Sequence, residues 1–364
     1  MRLLTVIIIL PSFAGGGAER VALSLLDNID RKKFKPILIV LNKMGPLRAN
    51  IPKENIINLN IVHLRFAIFK LIKVIKVNKP DVIFSTFPHI TLPLLIIKNI
   101  IFNNSVFIAR EPNMVGLSLK HASFSILLKF LYKFFMPKAD KIIVTSKAMQ
   151  NDLLNRGIDQ SKLFLIHNPI DKIKIRKINN FIRYPGKGLR LVFAGRLVYQ
   201  KGIDRILPII KNLKDCHLTI LGNGPMKPFL EKMIIELNIK NKIKFIDFSS
   251  NVNSYIASAD YLLLPSRWEG LPNVVLESLI LGTPVISFKE ILGLHDIKLL
   301  VDKDNLHLCS NEREMGALLS KLNVRKNLSN ISLRKNLLNK FNSPHIYAKN
   351  IEKIMEVLVF EKRN

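Results

Sequence analysis

Two glutamates, Glu269 and Glu277, lie around a Gly-Leu-Pro turn in "SRWEGLPNVVLESLILGTPVI", a spacing that puts one carboxylate on a loop and the other on the helix that follows. Asn273 reads as the helix N-cap, Gly282 as its end and Pro284 as the stop beyond it, so the helix is expected over 274–281. Two cations, Arg196 and Lys201, follow an apolar run in "FAGRLVYQKGIDRIL" that ends at Gly195. A guanidinium fork and a point charge together suit a diphosphate. Carboxylates repel phosphate but accept strongly from vicinal hydroxyls, so the pair of glutamates beside the cations implies two polyols, a ribose and a sugar. Plainer readings stand beside these: Arg196 and Lys201 as solvated surface, Glu277 as an exposed helix charge, Glu269 as a turn residue.

Glycines mark two further close approaches. In "PSFAGGGAER" three of them precede a helix expected near Ala18, whose free N–H groups suit a phosphate. The stretch is not the dinucleotide fingerprint, because the sixth position from Gly15 is Arg20, and no P-loop pattern occurs. "LTILGNGPM" places Gly222 at the end of another strand-like run, where a nucleoside could approach.

Composition narrows the partners. Of 364 residues, 56 are Lys or Arg and 27 are Asp or Glu, a formal net charge of +29. Such an excess favours phosphates, nucleic acid or acidic lipid, or reflects a chain rich in Ile, Lys and Asn. The basicity is spread over both halves without an interleaved aromatic stripe, so a nucleic-acid partner is not expected. Cys216 and Cys309 are far apart and the eight histidines lack ligand spacing, so neither a disulfide framework nor a metal is expected. "DKD" at 302–304 reads as a surface turn.

The elements that must position these residues alternate from end to end. Apolar runs such as "LLTVIIIL", "PDVIFST" and "KADKIIVTS" are followed by helical patterns, and a second alternation begins at "LRLVFAG" and runs to "TPVISF". Uniformly apolar strands separated by helices mean parallel sheets covered on both faces. The expected architecture is α/β: two tandem Rossmann-like doubly wound domains facing a cleft, over 1–170 and 189–342. The charged stretch 171–188 reads as linker and 343–364 as a closing helix that packs back on the first domain. "MRLLTVIIIL" reads as a buried strand rather than a leader, and no run is long and apolar enough to span a bilayer.

One segment points to a partner. "LSLKHASFSILLKFLYKFFMPK", residues 119–138, reads as a single helix with Leu119, Ile126, Leu127, Phe130, Leu131 and Phe134 on one face and Lys129 and Lys133 opposite. It suits either an anionic membrane surface or the domain core with solvated lysines.

Together "GGGAERVALSLL", "FAGRLVYQKGID", "LGNGP" and the segment around Glu269 and Glu277 resemble the family-4 retaining glycosyltransferases of the two-Rossmann-domain (GT-B) class, over residues 3–286, with "HNPID" at 167–171 also fitting. The resemblance implies transfer of a hexose or N-acetylhexosamine from a nucleotide-sugar, by family habit a uridine diphosphate sugar, with retained configuration and without a metal or other cofactor. It implies a lipid-linked or polysaccharide acceptor in bacterial cell-surface glycan assembly, and a cytoplasmic enzyme peripheral to the inner face of the membrane. By the family pattern Arg196, Lys201 and Glu269 are catalytic. Arg196 and Lys201 would neutralise the leaving diphosphate, and Glu269 would hold sugar hydroxyls with backbone help from 270–273, Gly270, Leu271 and Asn273 among them. Glu277 would bind the ribose, Gly222 would line the nucleoside, and Gly16 and Gly17 would approach the phosphates. Where relatives carry a histidine near the sugar this chain has "IAREP", which makes Arg110 and Glu111 contacts to acceptor or sugar. Asp247 replaces a glycine common in relatives near the base. A non-catalytic subunit that partners another transferase is the alternative, and nucleotide release discriminates the two.

Overall fold

The computed structural model describes residues 2–61, 64–122, 124–171, 182–184, 188–247, 249, 251–322, 324 and 341–364. Most of the stretch read as linker, 171–188, therefore lies outside the described residues. Two compact units form, Met1–Pro169 with Asn342–Asn364, and Ile170–Phe341.

The first unit is built on seven parallel strands: β1 (Leu4–Leu10), β2 (Phe34–Val40), β3 (Ile56–Asn58), β4 (Val82–Ser85), β5 (Val106–Arg110), β6 (Lys141–Val144) and β7 (Leu163–Leu165). Their order is β3-β2-β1-β4-β5-β6-β7, with Ile7 in register with Ile37 on one side and Ile83 on the other. Central β1 has a neighbour on each edge and a helical layer on each face. That is why it is apolar at every position rather than at alternate ones. Val6, Ile8 and Leu10 face one layer, formed by α1 (Gly17–Asn28) and the C-terminal helix. Ile7 and Ile9 face the other, formed by α2 (Leu64–Asn78), α3 (Pro88–Ile101), α4 (Val115–Lys120), α5 (Ser125–Phe135) and α6 (Lys147–Leu154).

Two local features differ from the sequence expectation. Residues 119–138 do not make one helix: α4 stops at Lys120, Phe124 turns left-handed at φ 59°, and α5 starts at Ser125. Leu119 is buried on α4, whereas Ile126, Leu127, Phe130 and Phe134 are exposed, and Leu131 and Tyr132 supply the inward side of α5. Lys129 and Lys133 accordingly share the open side with the aromatics instead of opposing them. Helix α1 begins at Gly17 with Gly16 as N-cap, one residue before the expected start.

The second unit holds six parallel strands: β8 (Leu189–Ala194), β9 (Cys216–Leu221), β10 (Ile243–Ile246), β11 (Tyr261–Leu264), β12 (Val285–Phe288) and β13 (Leu306–Cys309). The order β10-β9-β8-β11-β12-β13 places the topological switch between β8 and β11. Helices α7 (Leu207–Asn212), α8 (Lys227–Glu236), α9 (Val252–Ser258), α10 (Asn273–Ile280), α11 (Gly293–Lys298) and α12 (Glu312–Leu319) connect them. Between β8 and α7 the chain makes two 3-10 turns, Tyr199–Lys201 and Ile203–Arg205. Asp302–Asp304 lie exposed ahead of β13.

Helix α13 (Pro344–Arg363) returns to the first unit. Ser343 caps it by accepting from the Ile346 N–H, and Pro344 sits in its first turn where its missing N–H costs nothing. Tyr347, Ile351, Met355 and Leu358 recur at helical spacing and bury against the β1 layer beside α1. Glu352 accepts from the Asp30 N–H at 2.8 Å, and Arg363 pairs with Asp81 at 2.7 Å.

Candidate active site

In doubly wound sheets ligands bind outside the carboxyl ends of the strands, at the switch point. In the second unit that point is flanked by the chain leaving β8, which carries Arg196 and Lys201, and the chain leaving β11, which carries Glu269. The structure joins these two segments. Lys201 donates to Glu269 Oε1, which also accepts from the Ser266 hydroxyl at 2.8 Å. Glu269 is buried, with 5% of its surface exposed. A buried carboxylate needs such partners to remain charged. Gln200 Nε2 donates to the Trp268 carbonyl at 2.8 Å, and the Arg267 N–H donates to the Gln200 carbonyl at 2.7 Å. Arg267 is held in turn by Asp204 and stacks on Tyr199 with its guanidinium carbon 3.9 Å from the ring centre.

Glycines set the distances. Gly202 adopts φ 65°, and a Cβ there would lie 2.2 Å from the Pro265 carbonyl oxygen, so only glycine lets the Lys201 turn touch the chain after β11. Gly222, at φ 137°, leaves the same kind of gap to the Gly195 carbonyl, where a Cβ would be 2.0 Å away. It thereby supports the backbone just before Arg196, which is exposed. Gly293, in α11, would bring a Cβ within 1.5 Å of the Gly270 carbonyl, and so buttresses the loop after Glu269 from behind.

Helix α10 carries Glu277 in its second turn, half-buried. Pro272, not Asn273, is the N-cap, and Asn273 is the first helical residue; the helix ends at Ile280, one residue earlier than expected. The Val275 N–H of the first turn reaches the Pro272 carbonyl at 3.1 Å, and the positive end of the helix dipole there suits an anion or hydroxyl. Its exit follows the expected signal. Gly282 takes φ 84°, its N–H reaches the Leu279 carbonyl, and the Thr283 N–H reaches that of Ser278, the paired bonds of a Schellman stop.

The remaining residues singled out from sequence belong to the first unit. Gly16 and Gly17 form the start of α1, and Gly15 before them is left-handed at φ 80°. Arg110 ends β5 and Glu111 follows it, both only 2% exposed. Arg110 Nη2 donates to Asn168 Oδ1 at 2.6 Å, and its Nε and Nη1 are buried with no hydrogen-bond partner among the described residues. Glu111 accepts from the Tyr132 hydroxyl of α5 at 3.0 Å. Burial pushes its carboxyl up to about 7 against the opposing pull of that hydroxyl and of Arg110. Neither residue presents an open side chain. Tyr132 and Gly293 were missed in the sequence because each acts through a distant partner, whereas Ser266, three residues before Glu269, carried no signal that its hydroxyl turns back to that carboxylate.

Among the described residues no three His, Cys, Asp or Glu side chains could hold a metal ion, and no helix is long and apolar enough to cross a membrane. Cys216 and Cys309 are not joined in a disulfide.

Known proteins show the family and the fold. The family model described as "Glycosyltransferase Family 4" matches residues 15–173, and "Glycosyl transferases group 1" matches residues 174–306. The N-acetylgalactosamine-N,N'-diacetylbacillosaminyl-diphospho-undecaprenol 4-alpha-N-acetylgalactosaminyltransferase of Campylobacter jejuni is 30% identical over 316 residues, covering 81% of this chain and 85% of that one. The amylovoran biosynthesis glycosyltransferase AmsD of Erwinia amylovora is 24% identical over 322 residues, 86% and 89% of the two chains. Among solved structures, Anabaena Alr3699/HepE in complex with UDP and glucose superposes with a TM-score of 0.72 at 16% identity, covering 97% of this chain and all of that one. That likeness shows the two-domain GT-B fold. The chain thus belongs to the family-4, group-1 glycosyltransferases, and other relatives are named for amylovoran, O-antigen and lipopolysaccharide core biosynthesis.

Proposed function

We propose that this glycosyltransferase moves a hexose or N-acetylhexosamine from a UDP-sugar, with retention, to a lipid-linked or polysaccharide acceptor in bacterial cell-surface glycan assembly. It works in the cytoplasm at the inner face of the cytoplasmic membrane and needs no metal. The observation that carries the reading is the contact between Lys201 and the buried Glu269 across the switch point, with Arg196 on the same side and Glu277 on the adjoining helix.

In this reading departure of the nucleoside diphosphate gathers negative charge, which Arg196 and Lys201 stabilise as fixed cations without a proton donor. Glu269, preset by Ser266 and Lys201, accepts from the hydroxyls of the transferred sugar, and the backbone of Gly270, Leu271 and Asn273 adds donors. Glu277 takes the ribose hydroxyls, and Gly222 gives the nucleoside room. The family resemblance assigns Gly16 and Gly17 to the phosphates. Arg110, with buried N–H donors to spare, and Glu111 serve the acceptor side. UDP is supported by the Anabaena complex, and a lipid diphosphate acceptor by the name of the Campylobacter relative.

Release of UDP is the test. The purified chain is incubated with UDP-glucose, UDP-galactose and their N-acetylated forms, with a lipid extract as acceptor source. Release from one donor, reduced roughly a hundredfold or more in Arg196→Ala, is expected. UDP that binds but is never released from any donor would instead identify a non-catalytic subunit.

A further inference from the structure

We propose that the outer side of α2, α3 and α5 is a docking surface for an anionic lipid bilayer. These three helices cover the same face of the first sheet and pack side by side, α2 on α3 and α3 on α5. Their inward residues, Ala67, Leu71 and Ile75 on α2, Leu94 and Leu95 on α3, and Tyr132 on α5, fill one core. Their outward residues are therefore directed away from the sheet together.

That outward side is apolar where solvent would favour polar groups. On α5 Ile126 is 83% exposed, and Leu127, Phe130 and Phe134 are open beside it, the two rings 4.4 Å apart. Ile100 on α3 is 86% exposed and Phe69 on α2 is 81% exposed, with Val77 two turns further along. Single exposed apolar residues mean little, but several on the outward sides of three helices that pack side by side mark an interaction surface.

Charge selects the partner. None of α2, α3, α4 or α5 contains an Asp or Glu, whereas Lys73, Lys76, Lys129 and Lys133 are exposed among the apolar side chains. The opposite layer, α1 and α13, carries Glu19, Asp27, Glu352, Glu356 and Glu361. In this layer only α6 carries an acid, Asp152, which is paired with Arg156 away from the α2–α3–α5 outer side, and a side without acids is what a surface of phosphate headgroups requires. Aromatic and aliphatic side chains interleaved with lysines match the layered chemistry of a bilayer interface, with headgroups above acyl chains. A second protein would be expected to meet the lysines with acids, and this chain offers no acidic counterpart patch on these helices.

The surface also adjoins the acceptor side of the proposed function. Tyr132, on the inward side of α5, donates to Glu111 at the carboxyl end of β5. One helix thus carries the bilayer contact outside and a contact to the proposed acceptor region inside. The inference deepens the membrane part of the proposed function, and its test does not depend on turnover.

The full chain is sedimented with vesicles of phosphatidylcholine alone and with about a third phosphatidylglycerol, at about 0.15 M salt. Binding to the anionic vesicles only is expected. Lys129→Glu with Lys133→Glu should weaken it roughly tenfold or more, and Phe130→Ser with Phe134→Ser should weaken it comparably, with thermal unfolding and UDP binding unchanged in both. Equal binding by wild type and both variants, or no binding by a wild-type chain that still binds UDP, overturns the proposal. So does a dimer, seen by light scattering, that disappears in the Phe130→Ser, Phe134→Ser chain, since that would make a second copy the occupant. Loss of UDP binding with vesicle binding intact would instead overturn the donor-site reading and leave the docking surface standing.

Discussion

Replacing Glu111 by Gln tests whether the end of β5 stores an unfavourable charge. The carboxyl is fully enclosed and pushed from 4.5 to about 7, chiefly by desolvation. Below pH 4.5 both the folded and the unfolded chain keep the proton, so the group adds no pH dependence. Between 4.5 and 7 the unfolded chain ionises while the folded one holds its proton, so stability falls as pH rises. Above 7 both forms are ionised and the loss is complete, at roughly 3 kcal/mol. Glutamine keeps the shape and can still accept from Tyr132, but does not titrate. Glu111→Gln should therefore be more stable than wild type by up to about 3 kcal/mol at pH 8 and by less than about 1 kcal/mol at pH 5. Read as thermal midpoints, that is a gain of about 6–12 °C at pH 8 for a unit of this size, shrinking to a few degrees at pH 5. An equal gap at both pH values, or a less stable variant at pH 8, would refute the assignment of the shift to burial.

Three other substitutions probe the second unit. Gly222→Ala should cost about 2 kcal/mol or more and weaken UDP binding, because φ 137° and the 2.0 Å approach to Gly195 force the backbone before Arg196 to move; calorimetric titration reads both the fold and the site. Asp260 is fully buried and accepts from Arg190 N, Nε and Nη2, so Asp260→Ala should lower stability by about 3 kcal/mol or more in denaturant titration. If its carboxylate serves the sugar and not the nucleotide, as proposed, Glu269→Ala should abolish transfer while leaving UDP affinity within roughly threefold. A parallel loss of UDP affinity would move Glu269 out of that role.

The parts of the fold that were legible in sequence are those fixed by short-range patterning. The unbroken apolar run of β1 announces a strand buried on both faces, and Gly282 announces the end of α10, because each signal is written in adjacent residues. The strand ends that carry Arg196, Lys201 and Glu269 were legible as well, and the structure brings Lys201 onto Glu269. What depended on distant partners was not. Helical periodicity carries on through residues 121–124, and only the left-handed turn at Phe124 separates α4 from α5. The inward face of α5 could not be chosen from its wheel, which is rich in apolar residues on nearly every side; Tyr132 is turned inward by Glu111 from a different strand. Gly293 looks like an ordinary glycine until the Gly270 carbonyl is placed against it.

The measurement that tests the central claim most directly is calorimetric titration of the full chain with uridine, guanosine, adenosine and thymidine diphosphates, repeated for Arg196→Ala and Glu277→Ala. Selective binding of the uridine nucleotide is expected, weakened by roughly tenfold or more in each variant as a phosphate or ribose contact is lost. Wild-type affinity retained in both variants, or no binding of any nucleotide by a folded chain, would contradict the placement of the donor at the β8–β11 switch.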